Sequence, residues 1–192
     1  MEYILITGGG GFIGINLVLY LLKNTNHGII VLDNFITSNK ENIRTIQSKN
    51  QSRIIIYEQD LCDLNIVNTF INVDFQKNKN IKQIYHLASL ASPKFYKKYT
   101  LQTLDVGYIG TRNILEIAKH YRCKILYTST SEVYGDPLVH PQKEEYYGNV
   151  NTIGERSNYD ESKRIAETLM ITYKNLYNLN IRIARVFNTY GP

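Results

Sequence analysis

The 192-residue chain predicts an α/β fold, a doubly wound parallel sheet of six or more strands. Three observations carry that expectation. Short, continuously apolar runs alternate with stretches of helical apolar spacing, as expected of strands covered on both faces. The first run ends in a glycine-rich turn opening onto a helix. The second ends in an aspartate about twenty residues further on.

In order, residues 3–7 read as a buried strand and 12–22 as a helix. Residues 29–33 form a second strand, 40–47 a weaker helix and 53–58 a third strand. Ile66, Val67, Phe70, Ile71 and Phe75 mark a helix face. Residues 83–87 give the fourth strand and 101–121 a long helix with Leu104, Ile114, Leu115 and Ala118 inward. The fifth strand is 124–128, followed by a helix over 158–177 and a sixth strand at 181–186. Right-handed crossovers then wind the sheet in both directions. One segment lacks a period: 135–157 carries Gly135, Pro137, Pro141, Gly148 and Gly154. Irregular loops of that length are functional lids or variable insertions. This one leads directly into the helix of Tyr159 and Lys163, which favours function.

Composition narrows the class. Hydrophobic residues make up 43% and charged residues 20%, a globular balance that can bury a core without staples. Cys62 and Cys123 form neither a disulfide framework nor a metal-ligand spacing, so no metal is expected. They read as small buried hydrophobes in a reducing compartment. Asn16, Lys23 and Asn24 interrupt the longest apolar stretch, and the start resembles no secretory signal. A cytoplasmic protein without membrane contact is therefore expected. The net charge of +5 is mild. Lys94, Lys97 and Lys98 read as a solvated face rather than a nucleic-acid groove, and a basic surface also suits a small anionic substrate.

The glycines of Thr7-Gly8-Gly9-Gly10-Gly11-Phe12-Ile13-Gly14 stand at 8, 11 and 14. That spacing permits a tight turn, close approach to a pyrophosphate and packing of helix on sheet. The helix N-terminus then offers unpaired N–H groups to phosphate. Asp33 closes the second strand, where a carboxylate accepts both ribose hydroxyls and repels a 2′-phosphate, favouring NAD over NADP. Asp60, ending the third strand, either meets the adenine amino group or caps the next helix.

Tyr159 and Lys163 lie four apart and share a helix face. An adjacent ammonium lowers a phenol toward a usable base, able to take a proton from a sugar hydroxyl. Among 16 tyrosines such a spacing also arises by chance. Thr128-Ser129-Thr130-Ser131-Glu132, at the carboxyl end of the fifth strand, supports the catalytic reading.

Together these features resemble the extended short-chain dehydrogenases/reductases, with a Rossmann fold and tightly held NAD. The finer resemblance is to the UDP-glucuronate decarboxylase (UDP-xylose synthase) family. It rests on Val31-Leu32-Asp33-Asn34-Phe35, His86-Leu87-Ala88-Ser89-Leu90-Ala91-Ser92-Pro93 and Ser129-Thr130-Ser131-Glu132-Val133-Tyr134-Gly135-Asp136-Pro137. His140-Pro141-Gln142, Gly148-Asn149-Val150-Asn151, Tyr159-Asp160-Glu161-Ser162-Lys163-Arg164 and Arg185-Val186-Phe187-Asn188-Thr189-Tyr190-Gly191-Pro192 complete it. The resemblance implies a redox-neutral cycle in which NAD oxidises C4 of UDP-glucuronate, the β-keto acid loses CO2, and the hydride returns to give UDP-xylose. Tyr159 would be the base, Lys163 would lower its pKa, Thr130 would hold the reacting oxygen, and Glu132 would position water or sugar for protonation at C5. NAD contacts carry over to Gly8, Gly11, Phe12, Ile13, Gly14, Asp33, Asn34, Phe35, Thr37, Asp60, Leu61, Leu87 and Ser89, beside Tyr159 and Lys163. Tyr96 and Asn188 fall on the substrate side, and His86 reads as a core histidine. A homodimer through the long helices is implied.

Three positions depart from the family pattern. Gly107 replaces an asparagine, costing helix stability by about 1 kcal/mol relative to alanine and removing a polar group from the site floor. Glu155 replaces a proline and Tyr147 a tryptophan. The family also continues into a smaller substrate-binding part, so residues 1–192 are expected to be the NAD-binding domain with that part largely missing. A nucleotide-sugar 4,6-dehydratase, a 4-epimerase or a non-catalytic NAD-binding fragment are the competing readings. A dehydratase is expected to show Asp-Glu where Ser131-Glu132 stands.

Overall fold

A computed structural model describes residues 1–72, 75 and 79–191. Pro192, which closes the last family motif, lies outside the described residues. The elements are β1 (Glu2–Thr7), α1 (Phe12–Asn24), β2 (Gly28–Asp33), α2 (Lys40–Ser48), β3 (Ile54–Glu58) and α3 (Ile66–Ile71). There follow β4 (Asn80–His86), α4 (Pro93–Tyr96), α5 (Thr100–Asp105), a π turn (Val106–Gly110) and α6 (Thr111–Tyr121). The chain continues through β5 (Lys124–Thr130), a 3-10 turn (Ser131–Tyr134), α7 (Ser157–Tyr177) and β6 (Ile181–Val186).

The strands form one sheet in the order β3-β2-β1-β4-β5-β6, and every neighbouring pair runs parallel. This is a Rossmann-type doubly wound sheet. Strand order reverses between β1 and β4, so a crevice opens at their carboxyl ends. Alternation along each strand feeds two cores. Leu5, Ile30, Leu32 and Ile84 pack with Ile114, Leu115, Ala166 and Met170 on one face. Ile4, Ile6, Ile29 and Val31 pack with Val18, Leu21 and Ile43 on the other. Strands buried on both faces explain the unbroken apolar runs.

Several sequence expectations are corrected. β4 begins at Asn80 rather than 83: Ile81 is fully buried and pairs with Tyr3, ahead of a register shift, while exposed Lys82 breaks the apolar signal. β5 runs on to Thr130 because polar Ser129 and Thr130 still pair with Arg185 and Val186. The helix expected over 101–121 is interrupted by the π turn. Its wider ring changes the phase of the apolar stripe, so Ile114, Leu115 and Ala118 are buried whereas Leu104 is 39% exposed. α3 covers Ile66–Ile71, and Phe75, helical and buried beyond it, brings its ring edge-on to Phe70, centroids 5.1 Å apart, as the expected face requires. Cys123 is buried as expected, but Cys62 is only partly so.

Candidate active site

Two cavities flank the pair Tyr159 and Lys163. The first, about 440 Å³, lies over the carboxyl ends of β1, β2 and β4. Its floor is the glycine turn. Gly8 adopts φ +69°, and a Cβ there would come within 2.8 Å of the Ala88 backbone. Gly8 N–H donates to Leu32 (2.9 Å) and Gly11 N–H to the Gly8 carbonyl (3.1 Å), closing the turn. A Cβ at Gly14 would press on Gly9 Cα at 2.6 Å, so α1 sits directly on this turn. The N-cap of α1 is Gly11, with no capping side chain and no acidic residue in the first turn. Its N–H groups are thus free to meet an anion.

The cavity wall brings together nearly all the residues expected to hold NAD: Gly8, Gly11, Phe12, Ile13, Gly14, Asp33, Asn34, Thr37, Asp60, Leu61, Leu87 and Ser89. Phe35, Tyr159 and Lys163 do not line it; for Phe35 the reason is local. Its ring packs against the core beneath α2, and at φ 56° its N–H turns inward to donate to Asp33 Oδ1 at 2.8 Å. Asp33 Oδ2 accepts from Gly10 N–H at 2.9 Å, which ties the carboxylate at the end of β2 to the glycine turn. Asp60 lines the cavity, and its carboxylate accepts from Asn34 and from Cys62 N–H, each at 2.8 Å; it does not cap the next helix, whose N-cap is Asn65. Sequence reasoning missed Gln59, Phe95, Gln102 and Val106 on this wall. Gln59 Oε1 is buried without a hydrogen-bond partner, an unmet acceptor on a residue of this wall. A concave apolar wall, an open helix N-terminus, a bare glycine turn and an unmet acceptor together fit a dinucleotide.

Beneath the crevice, His86 is 1% exposed and lies 2.7 Å from Thr7 Oγ1 and 3.1 Å from Thr111 Oγ1. Burial, aided by Lys163, lowers its pKa to about 3. It is a neutral core histidine that ties β1, β4 and α6 together.

Tyr159 and Lys163 are 6% and 5% exposed. Their shared face of α7 looks onto the end of β5. Lys163 Nζ donates to the Thr128 carbonyl at 2.8 Å and stands 5.9 Å from the Tyr159 ring centre. Burial lowers its pKa to about 7, against an opposing pull from Glu167. Tyr159 departs from expectation. Burial raises its pKa, with Glu132, Asp160 and Tyr96 adding to the rise; the Thr130 hydroxyl bonded to it pulls the other way. The lowering expected from Lys163 is not met here, because desolvation of the phenolate dominates.

Tyr96 stacks on Tyr159 at 5.0 Å and 13°. α4 is fastened to α7 where Asn158 Nδ2 donates to the Tyr96 carbonyl at 2.7 Å. Tyr159 lines neither cavity, but its neighbours do, Leu90 on the first and Tyr96 and Glu132 on the second. The second cavity, about 690 Å³ and open, is lined also by Asp136, Asn149, Glu155, Arg156 and Asp160. Thr130 caps the 3-10 turn by accepting from Glu132 N–H at 3.3 Å, and Glu132 is paired with Arg156. The irregular segment is pinned rather than loose. Asn149 N–H donates to the Tyr134 carbonyl at 2.8 Å, and Arg185 grips Glu167 with two bonds while reaching Tyr134 and the Glu144 carbonyl. Asn188, expected on the substrate side, is exposed beyond β6 and lines neither cavity.

Gly107 proves to be a packing residue. A Cβ there would meet the Ser162 carbonyl at 2.5 Å and Ser162 Cβ at 2.6 Å. Its lack of a side chain lets the π turn seat against α7 one residue before Lys163, so the cost expected for a helical glycine is set against close contact. Among the described residues, no cluster of His, Cys, Asp or Glu could hold a metal ion. No helix there is long and apolar enough to cross a membrane.

Comparison with known proteins places these features in context. The family model described as GDP-mannose 4,6 dehydratase matches residues 5–192. UDP-glucuronic acid decarboxylase 6 of Arabidopsis thaliana is 50% identical over 189 residues, covering 98% of this chain and 51% of that protein. Among solved structures, UDP-glucuronic acid 4-epimerase from Bacillus cereus, in complex with UDP-glucuronic acid and NAD, superposes with a TM-score of 0.81. It is 29% identical, covering 100% of this chain and 58% of the other. dTDP-glucose 4,6-dehydratase from Bacillus anthracis, in complex with NAD, gives 0.79 at 28% identity, covering 100% and 56%. The chain spans about half the length of the curated relatives it matches.

Proposed function

The chain belongs to the GDP-mannose 4,6 dehydratase family, an extended branch of the short-chain dehydrogenases/reductases, and from that premise we propose that it acts in NAD-dependent decarboxylation of UDP-glucuronate to UDP-xylose in the cytoplasm. The observation that carries the reading is the convergence of Thr130, Glu132, Tyr159 and Lys163 beside a cavity built for a dinucleotide. The 50% identity to a UDP-glucuronic acid decarboxylase favours it over the dehydratase and epimerase readings. Ser131 also stands where a 4,6-dehydratase is expected to show aspartate. On this reading residues 1–192 are the cofactor-binding domain, and the smaller substrate-binding part of the family lies outside them.

NAD would supply a reversible hydride acceptor for the sugar's C4. Asp33 and Asp60 would hold the adenosine end, and the glycine turn with the open end of α1 would hold the pyrophosphate. Tyr159 takes the proton of the 4-hydroxyl, and Thr130 keeps the reacting oxygen in line. Lys163, buried and bonded to the Thr128 carbonyl, favours the phenolate while its ammonium keeps its proton. The 4-keto sugar then accepts the electron pair of the breaking C5–C6 bond as CO2 departs. Glu132 orients the water that returns a proton to C5. A homodimer through α5, α6 and α7 completes the proposal, and a monomeric mass in solution contradicts that part.

The test is incubation of the purified chain with NAD and UDP-glucuronate, following CO2 and UDP-pentose by mass spectrometry. UDP-xylose that disappears in Tyr159→Phe supports the reading. NAD binding without product overturns it and leaves a cofactor-binding fragment.

A further inference from the structure

Asp160 is the first residue after the tyrosine, and the roles assigned so far do not use it. It is 8% exposed, lines the second cavity, and its Oδ1 is buried without a hydrogen-bond partner. A carboxyl desolvated to that extent with an unmet oxygen is costly unless it is protonated or finds a donor. Its surroundings favour protonation. Glu132 faces it from the 3-10 turn with the same sign of charge, and Glu161 adds to that from its own helix. Arg156 and Arg164 oppose them, and the Tyr159 phenol adjoins it. Arg156, however, is engaged by Glu132. Lys97, the other cation on this wall, is engaged by Glu155 at 2.9 Å. Burial together with Glu132 raises the Asp160 pKa to about 6.

We propose that Asp160 is a positioning residue that works with Glu132: the two carboxyl groups, which line the second cavity together with Arg156, hold a water between them, and Asp160 keeps that water supplied with a proton. The proposal rests on the decarboxylase reading and deepens it. Loss of CO2 leaves the C5–C6 electron pair in a C4–C5 enolate. As the C5–H bond forms, an O–H bond of the held water breaks, and the enolate electrons restore the C4 carbonyl. Asp160 passes its proton to the resulting hydroxide and becomes a carboxylate. The open cavity lets solvent return that proton, so each turnover consumes one proton from water, as the balance of the decarboxylation requires. Glu132, paired with Arg156, orients the water, and Asp160 supplies it. This divides the labour between two like groups by their environments.

Two measurements on the full chain test the division. In a chain carrying 13C-carboxyl aspartate, the signal lost in Asp160→Asn is expected to titrate at about 6 and to move down in Glu132→Gln, which removes the neighbouring negative charge. A midpoint in the ordinary aspartate range, or one that Glu132→Gln leaves in place, overturns the pairing. In turnover, Asp160→Asn is expected to lower kcat by about tenfold or more while KM stays within about twofold. The fall in wild-type activity as pH rises through the Asp160 midpoint is expected to vanish with it, and Asp160→Glu to regain part of the rate. Product formation with unchanged kcat and pH profile overturns this proposal alone. A wild type that makes no UDP-xylose overturns the decarboxylase reading and the proposal together.

Discussion

The two cavities on either side of Tyr159 are built by different means. The floor of the first is made largely of backbone: a glycine turn, a helix N-terminus, and a carboxylate one strand away that bonds back to the turn at 2.9 Å. That floor lies within the first 33 residues, on consecutive elements, while the rest of the wall comes from later segments as far as Thr128. The second is made of side chains from α4, the 3-10 turn, the irregular segment and α7. Their partners lie up to 62 positions away, as in the bond from Asn158 to the Tyr96 carbonyl. A backbone site tolerates changes of exposed side chain but not an added Cβ; a side-chain site should do the reverse.

Gly8→Val sharpens that contrast most. At φ +69°, with the Ala88 backbone 2.8 Å from a Cβ, the substitution is expected to cost about 3 kcal/mol or more of stability. It should also remove NAD binding as read by calorimetric titration. An intact affinity would show that the turn does not form the cradle. Tyr159→Phe should leave the first cavity untouched, with NAD affinity unchanged, while turnover falls by about a thousandfold. A parallel loss of NAD binding would break the separation of the two regions.

Lys163 sits at their junction and should report itself through pH. Its ordinary value is 10.5 and its folded value about 7, so between them the unfolded chain binds the extra proton and stability rises with pH. The rise should be fully expressed only above about pH 10 and absent below the folded value. Lys163→Met should flatten that dependence in thermal unfolding across the window, and an unaltered slope would contradict the burial argument. The smallest effect belongs to Glu155→Gln. Its partner Lys97 is 53% exposed at the side chain and Glu155 86%, so solvent and salt screen the pair. The unfolding midpoint at physiological ionic strength should not move.

The contrast also explains what could be read from sequence. Gly8, Gly14 and Asp33 announce themselves because a turn, a close approach and a strand end each demand a residue type at a local spacing. Their neighbours Gln59 and Phe95 do not, since only the winding of the sheet brings them to the same wall. The expected inward position of Leu104 fails for a related reason: a π turn has no apolar signature of its own, yet it changes the phase of everything before it. Gly107 reads as a loss in one dimension and as a contact with Ser162 in three. Tyr159 and Lys163 were legible as a pair. That burial would raise the phenol was not, because desolvation depends on Tyr96 stacking from a separate helix. Asp160, though it stands in a family motif, shows no role from spacing or composition, being a charged residue on a helix that otherwise looks solvated at that position.

The central claim is that both cavities serve one reaction in this chain. A single-turnover absorbance trace of reduced nicotinamide, taken on the NAD-loaded chain after mixing with UDP-glucuronate, tests it most directly. The account predicts a rise followed by a return to baseline in the wild type, and neither in Tyr159→Phe with NAD still bound. A flat wild-type trace with NAD bound would contradict it.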